Sequence, residues 1–240
     1  MSASDSLHEQ RIRLLEGSFN VRDLGGLATV DGLVVARGRI FRSDYPGFAN
    51  AAAGAGVREL GLRTVVDLRR SAEAGLECVS WRDHGVDYHR IPLSAGGETS
   101  WDAKYHAYLT HLPVTVVAAV RRVMDAASHP VLFHCAAGKD RTGVVAALVL
   151  LVLGVGEDAV VADYVLTEKA LDSILARLGG IELYAEMLGE RDREGQRPKA
   201  ENMRGLLAWL ESQGGAVRWL VENGITQREV DDFRVAMLQV

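Results

Sequence analysis

The chain has 240 residues, of which 48% are apolar and 25% are charged, and its formal net charge is −5. This composition is typical of a water-soluble globular protein, and the modest negative charge without runs of like charge argues against a nucleic-acid-binding protein. Two cysteines, Cys78 and Cys135, are too few for a disulfide scaffold, and no apolar stretch reaches the ~20 residues that stable membrane insertion of a helix needs.

Residues 1–16 form a polar lead-in that has neither a basic segment nor an apolar core, so no secretory signal is visible. A reducing cytoplasm fits the cysteine content and would keep Cys135 reduced, while secretion by a route without a signal stays open. The length predicts a single domain over residues 1–240, with a mostly helical part over residues 155–240.

The segment before residue 130 alternates between short apolar strands and helical stretches. Residues 33–35 and 39–42 resemble the two arms of a small β-hairpin around Arg37 and Gly38. The remaining elements are predicted as a helix at 50–60, strands at 64–68 and 86–93, and helices at 101–110 and 113–127. Together they predict an α/β fold with a central, mostly parallel sheet that is flanked by helices.

Two charged residues, Asp67 and Arg69, follow the strand predicted at 64–68. They leave it toward the edge at which ligands bind in open α/β sheets. Their simplest interpretation is a structural salt bridge.

The most informative segment is residues 134–143, His-Cys-Ala-Ala-Gly-Lys-Asp-Arg-Thr-Gly. A short apolar strand is predicted before it at 131–133, and residues 142–153 after it are apolar on nearly every face, which predicts a central core helix. Cys135 and Arg141 therefore lie on a strand-to-helix loop that ends at a helix N-terminus. Free backbone N–H groups and the helix dipole make such a terminus an anion site.

The residue types in this loop suit phosphate. Ala136, Ala137 and Gly138 are small enough for the backbone to approach a phosphate closely, and Arg141 supplies a planar fork that matches two phosphate oxygens. The same positive field favours the thiolate form of Cys135, which is the nucleophilic form. The pattern predicts hydrolysis of a phosphate monoester through a phosphocysteine intermediate.

Two neighbours of the loop have supporting roles in this prediction. His134 is expected to orient the loop or to hydrogen bond to the backbone of Cys135. Thr142 is expected to donate its hydroxyl to the sulfur, which would make the sulfur a better leaving group in the second step.

The chain after the loop helix is predicted to be mostly helical. Residues 157–178 form one long helix or two, and Tyr184 and Met187 continue a helical pattern. The polar residues 190–202 are predicted to be a solvated loop, and short helices follow at 206–210 and 217–221. Thr226 and Glu229 form a capping box that starts the last helix, and its buried stripe is predicted to be Val230, Phe233 and Met237.

These features resemble the cysteine-based protein tyrosine phosphatase superfamily, and within it the bacterial tyrosine/lipid phosphatase subgroup of the mycobacterial phosphatase B type. The resemblance is not confined to the loop. It extends to residues 20–26 (Asn-Val-Arg-Asp-Leu-Gly-Gly), 40–43 (Ile-Phe-Arg-Ser), 65–69 (Val-Val-Asp-Leu-Arg), 161–164 (Val-Ala-Asp-Tyr) and 224–226 (Gly-Ile-Thr). It covers roughly residues 18–240.

The resemblance implies a protein-tyrosine-phosphatase-like fold and a role for each loop residue. Cys135 would be the nucleophile and Arg141 the phosphate clamp, and the backbone of residues 136–140 would line the phosphate. Members with Lys139 and Asp140 at these positions often accept phosphoserine, phosphothreonine or phosphoinositides besides phosphotyrosine. The expected partners are therefore a phosphorylated protein or a phosphoinositide as substrate and inorganic phosphate as product, with no cofactor and no metal.

The general acid is less well defined by the sequence. Related enzymes often carry an Asp immediately after the strand that here is predicted at 86–93, and this chain has none there. Asp140 is the preferred candidate, because its place beside Arg141 is fixed by the sequence. Asp102 and Glu98 are the alternatives, and Asp102 is otherwise interpreted as the N-cap of the following helix. The subgroup has a helical lid. The alternative to a solvated loop at residues 190–202 is therefore a lid or a lipid-facing element.

Two other functions stay open at this point. A rhodanese-like sulfurtransferase also carries a cysteine on a cradle loop, but such loops commonly lack the Arg-Thr-Gly exit. A phosphate-binding pseudophosphatase module is disfavoured by the intact Cys135 and Arg141. A disulfide between Cys78 and Cys135 that protects the nucleophile is a further open hypothesis.

Overall fold

The computed structural model of the chain describes residues 9–47, 54–75, 80–94, 100–188 and 193–240. Within these residues the strands are β1 (Arg22–Asp23), β2 (Val34–Val35), β3 (Ile40–Ser43), β4 (Thr64–Asp67), β5 (Asp87–Arg90), β6 (Val131–His134) and β7 (Leu238–Gln239). The helices up to the loop helix are α1 (Gly54–Glu59), α2 (Ser71–Ala74), α3 (Trp101–His111), α4 (Pro113–Met124) and α5 (Asp140–Val152). They are followed by α6 (Glu157–Val165), α7 (Leu171–Gly179), α8 (Glu182–Leu188), α9 (Arg193–Gln196), α10 (Ala200–Ser212), α11 (Ala216–Glu222) and α12 (Gln227–Met237).

The main sheet has the strand order β1-β3-β6-β4-β5. Strands β3, β6, β4 and β5 are mutually parallel where they pair, and β1 pairs antiparallel with β3 at one edge. This confirms the predicted α/β class with its mostly parallel central sheet. All four residues of the central strand β6 are buried, as expected for a strand that is covered on both faces.

The predicted hairpin around Arg37 and Gly38 is wrong. Strand β2 pairs antiparallel with β7 at the other end of the chain, whereas β3 joins the main sheet between β1 and β6. Apolar patterning located both strands, but it could not identify β7 and β6 as their partners, because β7 and β6 lie more than 80 residues away in sequence and pairing depends on the packing of the whole fold.

The helices after the loop largely follow the predicted pattern. Helix α5 is buried on almost every face, and residues 157–178 form two helices, α6 and α7, that a 3₁₀ segment (Leu166–Ala170) joins. The capping box of Thr226 is present and Val230, Phe233 and Met237 are buried, so both predictions for α12 are confirmed. The predicted polar loop instead contains α9 and the start of α10, while residues 189–192 lie outside the described residues.

Part of the predicted lead-in belongs to the packed structure. Arg11 is fully buried and Leu15 is 3% exposed, so the chain is already buried before residue 16. Among the described residues, no helix combines the length and the apolar character that crossing a membrane requires.

The carboxyl ends of three neighbouring strands meet at one edge of the sheet. Asp44 follows β3, Leu68 follows β4, and Cys135 follows β6. Parallel α/β sheets collect their ligand sites at this edge, so the fold brings the loop after β6 together with the exits of both of its neighbours.

Candidate active site

Cys135 lies at the carboxyl end of β6, is 2% exposed, and lines a cavity of about 150 Å³. The lining of this cavity combines basic and apolar side chains. The basic side chains are Arg70, Lys104, Lys139 and Arg141, and apolar side chains come from α7 and α8 with Leu171, Leu175, Leu178, Tyr184 and Leu188. Ala136, Ala137 and Asp140 also line the cavity, so most of the predicted loop residues face the same space.

Each backbone carbonyl from residue 135 to residue 139 accepts a hydrogen bond from another residue of the protein. The donor–acceptor pairs are His134 Nδ1 to Cys135 O (3.2 Å), Tyr45 N to Ala136 O (3.0 Å), Asn20 Nδ2 to Ala137 O (3.3 Å), Arg42 Nη2 to Gly138 O (2.7 Å) and Gly143 N to Lys139 O (2.8 Å). In a trans peptide the N–H points away from the C=O. Because each of these five carbonyls is engaged with the protein, the N–H group that follows it points away from that contact, in the direction from which an anion can bind.

Gly138 is required by this loop. Its φ of +66° is a backbone conformation that residues with a side chain rarely adopt. A Cβ at this position would lie 2.5 Å from the carbonyl oxygen of Ser43 and 2.6 Å from the amide nitrogen of Asp44. The loop therefore packs directly on the backbone at the exit of β3.

A buried cluster of three arginines around one aspartate lies behind the loop. Asp163 of α6 accepts from Arg42 Nη1 (2.6 Å), from Arg22 Nε (3.1 Å) and from Arg11. Burial alone would raise the pKa of Asp163, but the three guanidinium groups hold it well below its usual value. Burial and the neighbouring Arg42 lower the pKa of Arg22 to about 9.

This cluster reaches the loop through Arg42 and Asn20. Arg42 donates to Asp163 with one terminal nitrogen and to the carbonyl of Gly138 with the other. Asn20 accepts from Arg22 and donates to the carbonyl of Ala137. Three cations against one carboxylate also leave a net positive charge beneath the loop, which favours a bound anion.

Arg141 is 8% exposed and is held by Glu73 of α2. Its Nη1 donates to Glu73 Oε2 at 2.8 Å and its Nη2 donates to Oε1 at 2.7 Å. Burial alone would raise the pKa of Glu73, but the hydrogen bonds and the charge of Arg141 outweigh it and lower the pKa to about 2. A guanidinium has five N–H donors, so this end-on contact leaves Nε–H and a further Nη–H for two phosphate oxygens.

Lys139 is 2% exposed, and its ammonium group is already engaged. It donates to the carbonyl of Gln196 at 2.6 Å, lies 4.1 Å from the ring centroid of Trp101, and lies 3.6 Å from Oδ1 of Asp140. Burial lowers the pKa of Lys139, and the charge of Asp140 opposes that change. Binding of an additional negatively charged group of a substrate, such as a second phosphate of a phosphoinositide, by Lys139 would require the ammonium to exchange one of these contacts.

Asp140, the preferred acid, is the first residue of α5 and is 16% exposed at its side chain. The hydroxyl of Tyr105 donates to its Oδ1 at 2.6 Å. Of the alternatives, Glu98 lies outside the described residues, as does Cys78, and only the backbone of Asp102 is described. The N-cap interpretation of Asp102 is wrong, because the helix begins at Trp101 and Ser100 caps it by accepting from the amide of Ala103.

His134 and Thr142 lie beneath the loop and are fully buried. Burial lowers the pKa of His134 to about 4, so its ring is neutral near pH 7 and one ring nitrogen is available to donate to the carbonyl of Cys135. The hydroxyl of Thr142 has no hydrogen-bond partner within the described part of the chain, so it does not hydrogen bond to the sulfur of Cys135.

The predicted salt bridge between Asp67 and Arg69 is confirmed at 2.7 Å, with both side chains buried.

A family model described as the tyrosine phosphatase family matches residues 14–239. The chain belongs to the tyrosine phosphatase family. This confirms the predicted resemblance, which was expected to cover roughly residues 18–240.

Relatives of this chain include two bacterial proteins. A protein named as a tyrosine-protein phosphatase in Cupriavidus necator is 34% identical over 184 residues, which cover 68% of this chain and 66% of that protein. The triple specificity protein phosphatase PtpB of Mycobacterium tuberculosis is 32% identical over 218 residues, and the match covers 75% of each chain. The chain therefore spans slightly less than two thirds of the length of the first relative.

Among solved structures, the chain is similar to the catalytic core of Siw14 from S. cerevisiae. The TM-score is 0.42 at 16% sequence identity, and the match covers 88% of this chain and 97% of that chain.

Several residues that shape the candidate site were not identified from the sequence as parts of it. Arg22, Arg42 and Asp163 lie in segments that carried the resemblance, but the pattern did not indicate that they support the loop. Glu73 had a weak signal, since it follows the exit of β4 at the ligand edge of the sheet. Tyr105 had none, because a tyrosine within a helical pattern is indistinguishable from a core residue.

Proposed function

We propose that this protein is a cysteine-dependent phosphatase that hydrolyses phosphate monoesters, phosphotyrosine first among them, through a phosphocysteine intermediate. The observation that carries the proposal is that all five backbone carbonyls from Cys135 to Lys139 already accept hydrogen bonds from the protein. It supports a ring of inward N–H donors around one anion, with a buried cysteine at its start and Arg141 at its end.

The first chemical step is attack by the Cys135 thiolate on phosphorus. A bond forms between sulfur and phosphorus while the ester P–O bond breaks, and the leaving oxygen takes a proton from Asp140. The loop N–H groups and the free edge of Arg141 stabilise the equatorial oxygens during this transfer. The net positive charge of the arginine cluster beneath the loop favours both the thiolate and the bound phosphate.

The second step is hydrolysis of the phosphocysteine. Water attacks phosphorus and gives a proton to the Asp140 carboxylate, the S–P bond breaks, and inorganic phosphate leaves with the thiolate restored. The loop and Arg141 supply the positive field in both steps, so the proposed scheme needs neither a metal nor a cofactor.

The substrate range is inferred to be broad. The cavity that Cys135 lines combines basic with apolar side chains, and this pairing suits a phosphate on an aromatic or otherwise apolar carrier. The name of the mycobacterial relative, a triple specificity protein phosphatase, supports a range beyond phosphotyrosine. Phosphoserine, phosphothreonine and phosphoinositides are therefore included among the inferred substrates. The inferred location is a reducing cytoplasm, because it preserves the thiol.

Release of phosphate from an aryl phosphate tests this function. The intact protein is expected to release phosphate and the C135S variant to release none, while C135S still binds the ester. Thiocyanate formation without phosphate release would favour a sulfurtransferase, and binding without turnover by the intact protein would favour a pseudophosphatase. Rates with phosphotyrosine, phosphoserine, phosphothreonine and phosphoinositide substrates, measured side by side, then define the range.

The acid assignment has its own comparison. Asp140→Asn is expected to slow turnover of phenyl phosphate about 100-fold, which is the low end of what a general acid contributes. Asp102→Asn and Glu98→Gln are expected to stay within threefold of the intact protein. The assignment is wrong if Asp102→Asn or Glu98→Gln abolishes turnover while Asp140→Asn does not.

A further inference from the structure

Two buried phenols connect Asp140 to the helices that pack around it. Tyr105 of α3 is fully buried, and Tyr164 of α6 is 1% exposed. Their hydroxyl oxygens are 2.7 Å apart, and the Tyr105 hydroxyl is 2.6 Å from Oδ1 of Asp140. The two rings meet edge to face, with centroids 6.2 Å apart.

The direction of this chain of hydrogen bonds follows from the proton count. A carboxylate can only accept, so the single hydroxyl proton of Tyr105 goes to Asp140. Tyr105 must then accept from the hydroxyl of Tyr164. Burial and the negative charge of Asp140 raise the pKa of Tyr105 well above its usual value, so Tyr105 stays a donor throughout the working pH range.

The two oxygens of Asp140 are not equivalent. Within the described residues its polar side-chain contacts, from Tyr105 at 2.6 Å and from Lys139 at 3.6 Å, are both made by Oδ1. Both contacts stabilise negative charge on that oxygen. A proton on the carboxyl group is therefore held by Oδ2, on a side chain that lines the cavity beside Cys135.

We propose that Tyr105 is a positioning residue for the general acid: its hydroxyl fixes the Asp140 carboxyl by Oδ1 and thereby presents Oδ2, with the transferable proton, to the leaving oxygen. The proposal rests on the proposed function, because it takes Asp140 as the acid. Tyr164 holds Tyr105 in turn, and both buried phenols are carried by helices rather than by loops, so the acid is oriented before substrate arrives.

Other ionisable groups face the same carboxyl and set the background for its titration. They come from the loop and from both packed helices: Lys139, Cys135 and Arg141 from the loop, Lys104 and Tyr108 from α3, and Tyr164 from α6. Tyr105, in contrast to these groups, donates a hydrogen bond directly to the Asp140 carboxylate at 2.6 Å.

The test compares two esters that differ in their need for an acid. The leaving oxygen of phenyl phosphate needs a proton, whereas that of 2,4-dinitrophenyl phosphate leaves readily as the anion. Because Asp140 also acts in hydrolysis of the phosphocysteine, which both esters share, the comparison uses kcat/KM, which reports only formation of that intermediate. Tyr105→Phe is expected to lower kcat/KM with phenyl phosphate about tenfold, part of the 100-fold or greater contribution of a general acid. Its kcat/KM with the dinitrophenyl ester is expected to stay within threefold, which also shows that the variant is folded.

Tyr88→Phe is a matched control, because it removes another phenol that donates to a buried carboxylate, Oδ2 of Asp67 at 2.7 Å, away from the cavity. It is expected to leave the ratio of the two kcat/KM values unchanged. If Tyr105→Phe slows both esters equally, or neither, while Asp140→Asn slows only phenyl phosphate, the positioning role is overturned and the acid assignment stands. If Asp140→Asn also lacks ester dependence, the acid assignment itself fails.

A second measurement does not depend on removing the phenol. With 3-fluorotyrosine at position 105 the hydroxyl becomes a stronger donor and stabilises the Asp140 carboxylate further. The basic limb of the kcat/KM profile with phenyl phosphate is expected to move to lower pH, and in Tyr105→Phe to higher pH. A basic limb that stays in place in both proteins overturns the proposal, because a purely structural tyrosine would not move it in opposite directions.

Discussion

Arg141 and Glu73 are joined by two parallel hydrogen bonds of 2.8 and 2.7 Å, end-on between the guanidinium and the carboxylate. Glu73 is fully buried and belongs to the short helix α2, which follows the exit of β4. Arg141, the proposed phosphate clamp, is therefore oriented by the segment that follows a neighbouring strand. This contact turns the free edge of Arg141 toward the cavity and prevents its rotation.

Replacing Glu73 with Gln tests the orientation of the clamp. A neutral amide keeps the size of the side chain but offers one acceptor oxygen instead of two charged ones. A hydrogen bond to a charged group contributes about 1.5–3 kcal/mol, so kcat/KM with an aryl phosphate is expected to fall about 10- to 150-fold. Steady-state kinetics and inhibition by inorganic phosphate measure the effect.

The matched control for that variant is Glu222→Gln, since Glu222 is half-exposed and pairs with Arg218 at the surface. It is expected to leave kcat/KM unchanged. A folded Glu73→Gln variant with kcat/KM within twofold of the control would contradict the role of Glu73.

The same glutamate makes the fold sensitive to acid. Its pKa is lowered from 4.5 to about 2 in the folded state, so its carboxylate stabilises the fold fully above pH 4.5, and this contribution is lost as pH falls toward 2. The difference corresponds to about 3 kcal/mol. Urea unfolding is expected to find the largest stability gap between the intact protein and Glu73→Gln above pH 4.5 and a shrinking gap below it. A gap that stays constant from pH 6 to pH 3 would disagree with this linkage.

Much of this site follows from local sequence patterns. The strand, the loop and the core helix around Cys135 were predicted because their signals are contiguous: an apolar run, small residues, and a second apolar run. The capping box at Thr226 is equally local, since its two residues are three positions apart. Features of this kind depend on neighbours in sequence, and the pattern contains them.

The supporting residues could not be predicted in the same way. Asp163 and Arg42 are 121 residues apart, and Glu73 and Arg141 are 68 apart. A charged residue in a strand or helix pattern is as compatible with a solvated face as with a buried partner. The failed hairpin has the same cause, because β2 finds its partner at the other end of the chain.

Asp163→Asn is expected to destabilise the fold strongly. Asp163 is the carboxylate shared by three buried guanidinium groups, and removing its charge leaves them without an anion. Breaking a buried ion pair by removal of one partner typically costs about 3–5 kcal/mol. Equilibrium unfolding in urea measures the loss of stability.

Asp158→Asn is the control, because Asp158 pairs with Arg204 on the surface and is 90% exposed. This substitution is expected to lower the free energy of unfolding by less than about 1 kcal/mol. Equal losses in the two variants would contradict a structural role for the arginine cluster.

Gly138→Ala is expected to damage the phosphate loop itself. The new methyl group would meet the backbone of Ser43 and Asp44 at 2.5–2.6 Å, and backbone atoms in a central strand exit cannot move aside cheaply. The loop must shift instead, and a displacement of about 1 Å from productive geometry costs about 100-fold in rate.

The Gly138→Ala variant also carries the strain of a positive φ, so a control must separate the effect of strain from that of the clash. Gly32→Ala serves this purpose, because Gly32 has a φ of +83° but no atom within 4 Å of its Cβ position. Both variants are expected to lose about 1–2 kcal/mol of stability from strain, while kcat/KM with an aryl phosphate falls about 100-fold in Gly138→Ala only. If kcat/KM of Gly138→Ala lies within threefold of that of Gly32→Ala, the close approach of the loop to β3 does not set the geometry of the cradle.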